Sequence, residues 1–447
     1  MNQTVYNTSR GRFLEMTNQE FRKNISRLAI HFDPLLALFA PFYWFFSGPE
    51  ILLIGQTIIL ASGALAIFLI GQKILKDKKM ALIFAVSYLF FWPVERANLF
   101  DFHAVTLATA FILWAIYFSL QKNHLVTLLF IFLALLTKEH VGLIIFLFGG
   151  YLFFLKKERG FGFLVSLLGL IFFYASFFVI IPYFRQQTHF ALKYYSDFGD
   201  TPSRLVIGII KNPVLLMKYL FQTESLKYLT KLFLPFLPYF IFSPLIVFLS
   251  LPEVLINLLS ANPNMRDIYF HYNSLIVPFI FFASIVGAAK ISKFKFKYFI
   301  LIIFIFLNLR FVYLYSPLPL KFLKEPYFYA SINKNKMEAI KKWQKLFSDD
   351  NLKISTTPKL APFFTARRYF YNFLFDSSFD SVKISKKEIL KRISKYDQSD
   401  YVIIDKEEIG DLNKDDLWVA FYRHLRLNKK FKMIYKDKFN LEVYKKI

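Results

Sequence analysis

LVTLLFIFLALLTKEHVGLIIFLFGGYLFFL, residues 125–155, is an apolar run whose charged and histidine positions are confined to one triplet, Lys138-Glu139-His140. A bilayer-spanning helix needs about 20 apolar residues to cross a hydrocarbon core of about 30 Å. The run is too long for one such helix, so it reads as a helical hairpin or a pair of short helices turning at the triplet. Each ionisable side chain placed at the bilayer centre costs about 2.5–3.5 kcal/mol on insertion scales. The triplet therefore belongs in a polar cavity or near the interface.

The same length test predicts spans near 50–71, 80–97, 104–121, 161–183, 272–289 and 298–315. A second over-long run, 228–258, is interrupted by Pro235, Pro238 and Pro244 and again reads as broken helices. Residues 34–46 are too few to span and are expected along the membrane surface. The chain is 56% hydrophobic, above the roughly 45–50% of ordinary soluble domains, and its mean hydropathy is +0.40. The expected fold class is mainly α, a polytopic transmembrane helical bundle. Its 58 Phe and 26 Tyr suit lipid-facing and interfacial surfaces rather than a ligand box. The formal net charge of +25 is spread over short loops and the C-terminal region. That distribution points to contact with membrane lipids and to topology, not to nucleic acid. With no cysteine, a disulfide framework and thiolate metal sites are excluded.

The polar interruptions fall into two chemical classes. Residues 72–80, 121–123, 156–159 and 290–297 are lysine-rich and lack any histidine–carboxylate grouping. The other class holds His31 with Asp33, Glu95 to His103, Lys138-Glu139-His140, Glu253, and Arg266 with Asp267 and His271. The positive-inside rule assigns the first class to the cytoplasm, so the second is expected to converge on the outer face of a plasma membrane. Three regions follow: 1–49 as outer loop and juxtamembrane helices, 50–315 as the transmembrane core, and 316–447 as a small extracytoplasmic α/β domain. The last begins at a connector containing Pro317, Pro319 and Pro326. It is expected to hold a helix over 333–347 and strands over 352–356, 401–404 and 431–435, the last pairing with 439–444 as a hairpin.

Several constellations can support chemistry. In Asn98-Leu99-Phe100-Asp101-Phe102-His103, an acid and an imidazole two apart at a helix boundary can orient a phosphate, a metal or a hydroxyl; the alternative is that Asp101 only caps a helix. Glu95 beside Arg96 reads as an ion pair or a reserve base. His31-Phe32-Asp33-Pro34 reads as a helix start, with Asp33 the cap and Pro34 in first position. Glu253 and Asn257 share one helix face, with Arg266 and His271 just beyond, so an anionic head-group site and a solvated loop both fit. No zinc spacing, P-loop, dinucleotide fingerprint or nucleophile elbow occurs, and no metal ligand set is assigned.

Taken together, Asn7-Thr8-Ser9-Arg10-Gly11-Arg12-Phe13, His31-Phe32-Asp33-Pro34, Asn98 to His103, Lys138-Glu139 with Gly142, Leu251-Pro252-Glu253 with Leu258-Leu259-Ser260, and His271-Tyr272 resemble a prokaryotic membrane family, the domain-of-unknown-function 2079 group. That group is in turn similar to the C-type glycosyltransferases. The resemblance runs over residues 2–310 and weakens in the C-terminal region. It implies a transferase core opening at the outer leaflet, with a polyprenyl-phosphate sugar donor. It also implies a catalytic Asp in the first outer loop, after a first transmembrane helix. Asn2-Gln3-Thr4-Val5-Tyr6-Asn7 is similar to the end of that loop, so either the start at Met1 is assigned too late or that Asp is lost. The first is expected, because residues 1–33 contain no segment to carry them across the membrane.

On this basis the expected function is glycosyl transfer from a polyprenyl-phosphate donor to an extracytoplasmic acceptor, by an enzyme of the C-type glycosyltransferase kind. Asp101 and His103 are expected near the reacting centre and Glu95 as a fallback base. Lys138 and Arg266 are the expected phosphate partners, with His31, Asp33, Glu139, Glu253 and His271 lining the substrate site. Asp101 with Glu139 or His103 is compatible with Mg or Mn, although nothing in the spacing demands an ion. A lipid or solute transporter, or a degenerate scaffold, is the alternative from another class.

Overall fold

The computed structural model describes residues 1–19, 23–317, 334–374, 395–412 and 417–447. Pro319 and Pro326 of the expected connector lie outside those residues. Chain order begins with α1 (Asn2–Ser9), the hairpin β1 (Glu15–Asn18) and β2 (Lys23–Ser26), and a 3-10 segment, Pro34–Trp44. Then come α2 (Glu50–Leu75), α3 (Lys78–Leu89), α4 (Trp92–Leu99), α5 (Ala104–Leu120), α6 (His124–Leu135), α7 (Val141–Phe154) and α8 (Arg159–Tyr174). The last continues through a π-helical turn to Arg185. After it lie α9 (Pro202–Lys211), α10 (Pro213–Phe221), α11 (Thr223–Phe233), α12 (Leu251–Leu259), α13 (Val277–Ile291) and α14 (Lys297–Tyr315). The C-terminal region holds α15 (Lys334–Leu346), β3 (Ile354–Thr356), β4 (Phe370–Asn372), β5 (Tyr401–Asp405), α16 (Leu417–Leu427), β6 (Phe431–Lys436) and β7 (Leu441–Lys446).

These elements form two compact units: residues 1–27, 36–51 and 330–447 in one, and 28–35 with 52–329 in the other. The helical unit is mainly apolar. Among the described residues three helices are long and apolar enough to cross a membrane, 50–75, 159–185 and 297–315; a fourth span results if the bent pair α3–α4 counts as one. They face outward. Only 17% of the apolar window of α14 is buried within the protein and 22% of that in 159–185, so the remaining surface suits lipid.

By contrast α5 and α13 are covered almost all round, with Leu107, Ala108, Ile112, Phe279, Ile280 and Phe281 at most 1% exposed. A helix apolar on every side belongs either in lipid or in a protein interior. Both were expected as spans; at 17 and 15 residues they form the interior of the helical unit. The run 125–155 does fold as two helices, α6 and α7, around a turn at 136–140. The 228–258 run breaks into short helical pieces at its prolines, as their missing N–H groups require.

Helix α7 packs on α8 through glycines. A Cβ on Gly142 would lie 2.5 Å from the Gly169 carbonyl, and one on Gly169 would lie 2.5 Å from the Phe146 amide nitrogen. Small residues let the two backbones meet. This contact holds the N-terminus of α7, and with it the triplet, in a fixed direction.

The other unit is built on a five-stranded sheet in the order β4-β3-β5-β7-β6. The β3 strand runs parallel to β4 and β5, whereas β7 is antiparallel to β5 and β6. Both faces are covered, which explains the unbroken apolar run of β5: Val402 and Ile404 pack on Val419 and Phe421, while Ile403 packs on Ile340 and Trp343. Residues 1–27, expected as an outer loop, fold here as helix and hairpin. Gln19 donates to the Phe370 carbonyl and accepts from the Asn372 amide, so its side chain pairs with the exposed edge of β4.

Candidate functional site

The turn at 136–140 carries the centre of the site. Leu35 N–H donates to the Leu136 carbonyl at 3.0 Å, which brings residues 28–35 alongside the turn. Glu139, buried, then gathers three donors. Its Oε1 lies 3.1 Å from His31 Nδ1 and 3.2 Å from His189 Nε2, and its Oε2 accepts from the Phe32 amide at 3.1 Å. Burial pushes the Glu139 carboxyl upward, but the charge of His31 and the hydrogen bonds from His189 and His31 outweigh it and hold it well below the ordinary carboxylate range. Glu139 is therefore an ionised acceptor.

His140, next in sequence, places Nε2 3.0 Å from Glu253 Oε2, joining the turn to the first turn of α12. One helical turn later Asn257 donates to the Tyr228 hydroxyl at 2.9 Å and to the Tyr272 carbonyl at 2.8 Å. The neighbour of Tyr272, His271, stacks face to face on His103 with ring centroids 3.7 Å apart. Phe100 lies nearly parallel to both rings, 5.5 Å from His103 and 6.4 Å from His271 between centroids. Lys138 Nζ sits 5.9 Å from the Tyr272 ring centroid, with no ion pair among the described residues.

The electrostatics follow from this packing. Burial drives His271 well below the usual imidazole range, and the positive fields of His103, Lys138, His31 and His140 push it further the same way. Four basic groups thus surround one neutral buried ring, whose Nδ1 makes no hydrogen bond among the described residues. Two of those groups, His31 and His140, face the carboxylates of Glu139 and Glu253, and Lys138 is the permanent cation among the four.

Other expected residues lie differently. The Asp101 side chain is exposed, and its backbone carbonyl accepts from His103 Nδ1 at 2.9 Å; it does not cap α5, whose N-cap is His103. Glu95 accepts from the Ser316 hydroxyl at 2.5 Å, and Arg96 lies over the Tyr269 ring while donating to the Tyr315 carbonyl. Arg266 donates to the carbonyls of Leu258 and Ser260, satisfying the C-terminal end of α12. Asp33 is buried directly before Pro34, the first residue of the 3-10 segment. His189 was not anticipated. It is a lone histidine in the stretch after the 159–185 helix, with no partner in sequence; the one available hint was its type, shared with the other residues of the histidine–acid class.

A family model described as "Predicted membrane protein (DUF2079)" matches residues 1–443. The chain belongs to this family. The match of the DUF2079 model extends through the C-terminal sheet as well as the helical unit, beyond the 2–310 over which the motif resemblance ran. No curated protein matches the chain. Membership establishes a membrane protein of the DUF2079 family and leaves its chemistry to be argued from the residues themselves.

Proposed function

We propose that the chain transfers a glycosyl group from a polyprenyl-phosphate donor to an acceptor hydroxyl on the outer side of a plasma membrane, in the manner of the C-type glycosyltransferases. The observation that supports this is the meeting of Lys138 and the stacked His103–His271 pair at Tyr272, beside the turn that carries Glu139. A phosphate ester seated there would meet several donors at once, and charge growing on its oxygen as the sugar departs would be stabilised. The acceptor oxygen attacks the anomeric carbon, the bond from that carbon to the phosphate oxygen breaks, and its electron pair leaves with the polyprenyl phosphate. The acceptor's proton must pass to a base. The outward-facing apolar helices fit a substrate whose lipid chain stays in the bilayer.

On this reading the C-terminal sheet unit lies outside the cytoplasm, and membrane lipids are the protein's natural partners. The test uses membranes holding the full chain and a radiolabelled polyprenyl-phosphate sugar. Release of polyprenyl phosphate with label passed to an acceptor is expected, with at least about tenfold loss of kcat/KM in Lys138→Met. Label that moves between leaflets without bond cleavage would replace transfer with transport.

A further inference from the structure

Proposed transfer leaves the base unnamed, and the hydrogen bonding around Glu139 identifies one. His189 carries the clue. Its Nδ1 accepts from the Ala191 amide at 3.1 Å, capping the short helical segment that begins at Phe190. An N–H can only donate, so that ring nitrogen has no proton. The neutral His189 ring must then carry its hydrogen on Nε2, aimed at Glu139 Oε1, 3.2 Å away. His189 is buried and stacked on Phe177, so the ring is held in this sense.

The same three side chains have the composition of a metal site, and their ligand atoms all lie within 4.8 Å of one another. The hydrogen bonding opposes that use. A histidine bound to metal through Nε2 keeps its proton on Nδ1 and donates it to an acceptor. Here the atom facing His189 Nδ1 is a backbone donor. Glu139 is likewise engaged, with His31 and His189 at Oε1 and the Phe32 N–H at Oε2.

What remains is His31. Its Nδ1 lies 3.1 Å from Glu139 Oε1, and an ionised carboxylate can only accept, so Nδ1 holds the proton and Nε2 is the basic nitrogen. The His31 side chain is 23% exposed whereas that of Glu139 is 4% exposed, so the acid is sealed behind the imidazole. A buried carboxylate that fixes the tautomer of a more exposed imidazole is the arrangement that makes a histidine a general base.

We propose that His31 is the proton acceptor of this site through Nε2, with Glu139 its positioning residue and His189 a second hydrogen-bond donor to Glu139. This rests on the transfer reading for its substrate: the acceptor hydroxyl loses its proton to His31 Nε2 as its oxygen bonds to the anomeric carbon. Asp101 is thereby relieved of the role.

Three measurements on the full-length protein in lipid nanodiscs test it. Diethylpyrocarbonate, which acylates unprotonated imidazole nitrogen, should modify His31 at least about tenfold faster than His189, read by mass spectrometry of the wild-type peptides. The purified protein should hold far less than one zinc or manganese per chain. In the transfer assay His31→Gln should lower kcat by about 100-fold with KM little changed, and Glu139→Asp should recover part of the activity lost in Glu139→Gln. Acylation of His31 no faster than His189, stoichiometric metal that protects His31 from the reagent, or full turnover by His31→Gln would each overturn the proposal. If wild type acylates as expected but transfers no sugar, the orientation of His31 stands and the transfer reading falls.

Discussion

Asp405 in the sheet unit and Glu139 in the helical unit are both buried acids with cationic partners, yet they are built to opposite ends. Lys336 Nζ lies 2.8 Å from Asp405, and both side chains are 5% exposed. Asp405 also caps the short helix 406–409 by accepting from Glu407 N–H, and its own amide donates to Thr357. That pair joins α15 to the end of β5, and Lys336 Nζ also reaches the exposed Glu407 at 3.2 Å. Glu139 is as deeply buried, but one of its donors is a ring with a face toward solvent. A buried ion pair that ties two elements together contributes to a specific fold; one that ends in an accessible imidazole can also exchange a proton.

The difference predicts a graded set of responses. Asp405→Ala leaves the buried Lys336 ammonium with only the exposed Glu407 and should destabilise the sheet unit by about 3 kcal/mol, seen as early loss of protease resistance over 334–447. Replacing both partners, Asp405→Leu with Lys336→Met, should recover most of that loss; persistence of the full loss would make Asp405 more than a structural partner. Glu139→Gln keeps the shape and should cost turnover rather than fold, with about 100-fold lower kcat and an unfolding midpoint close to wild type. If its midpoint falls as far as that of Asp405→Ala, the two acids are alike and the contrast fails.

Gly142→Ala forces α7 off α8 and should cost about 1–3 kcal/mol in thermal unfolding, while also weakening activity because the turn at 136–140 moves with α7. Lys138→Met should raise KM for the lipid-linked sugar about tenfold and leave stability unchanged. The smallest effect belongs to Arg204→Ala, whose partner Asp200 is 67% exposed; a change in unfolding free energy below about 0.5 kcal/mol is expected in the same scan.

Much of the architecture was legible in the residues. The length of 125–155 and its one charged triplet announced a hairpin, and the strand-like runs at 401–404 and 431–444 announced strands, because those signals are local. For two helices the sequence left their surroundings open, for an equally physical reason. Hydropathy cannot distinguish a helix that faces lipid from one wrapped by other helices, and α5 and α13 are of the second kind. The helix and hairpin at residues 1–27 escaped notice because their polar side chains find partners, such as Gln19 on β4, more than 350 positions away. Arg266 was chosen for its charge, but the carbonyls closing α12 absorb it, a demand visible only once the helix end is known.

From the chain alone came the apolar runs, their lysine-rich and histidine-rich interruptions, and the importance of Lys138-Glu139-His140, since hydropathy and the cost of burying charge act residue by residue. The folded structure alone settled that Glu139 meets His31 and His189, 108 and 50 positions away, and that His140 meets Glu253. Hydrogen bonds are short-ranged and directional, so which imidazole reaches which carboxylate depends on how α7 packs against α8 and where the loops around it return.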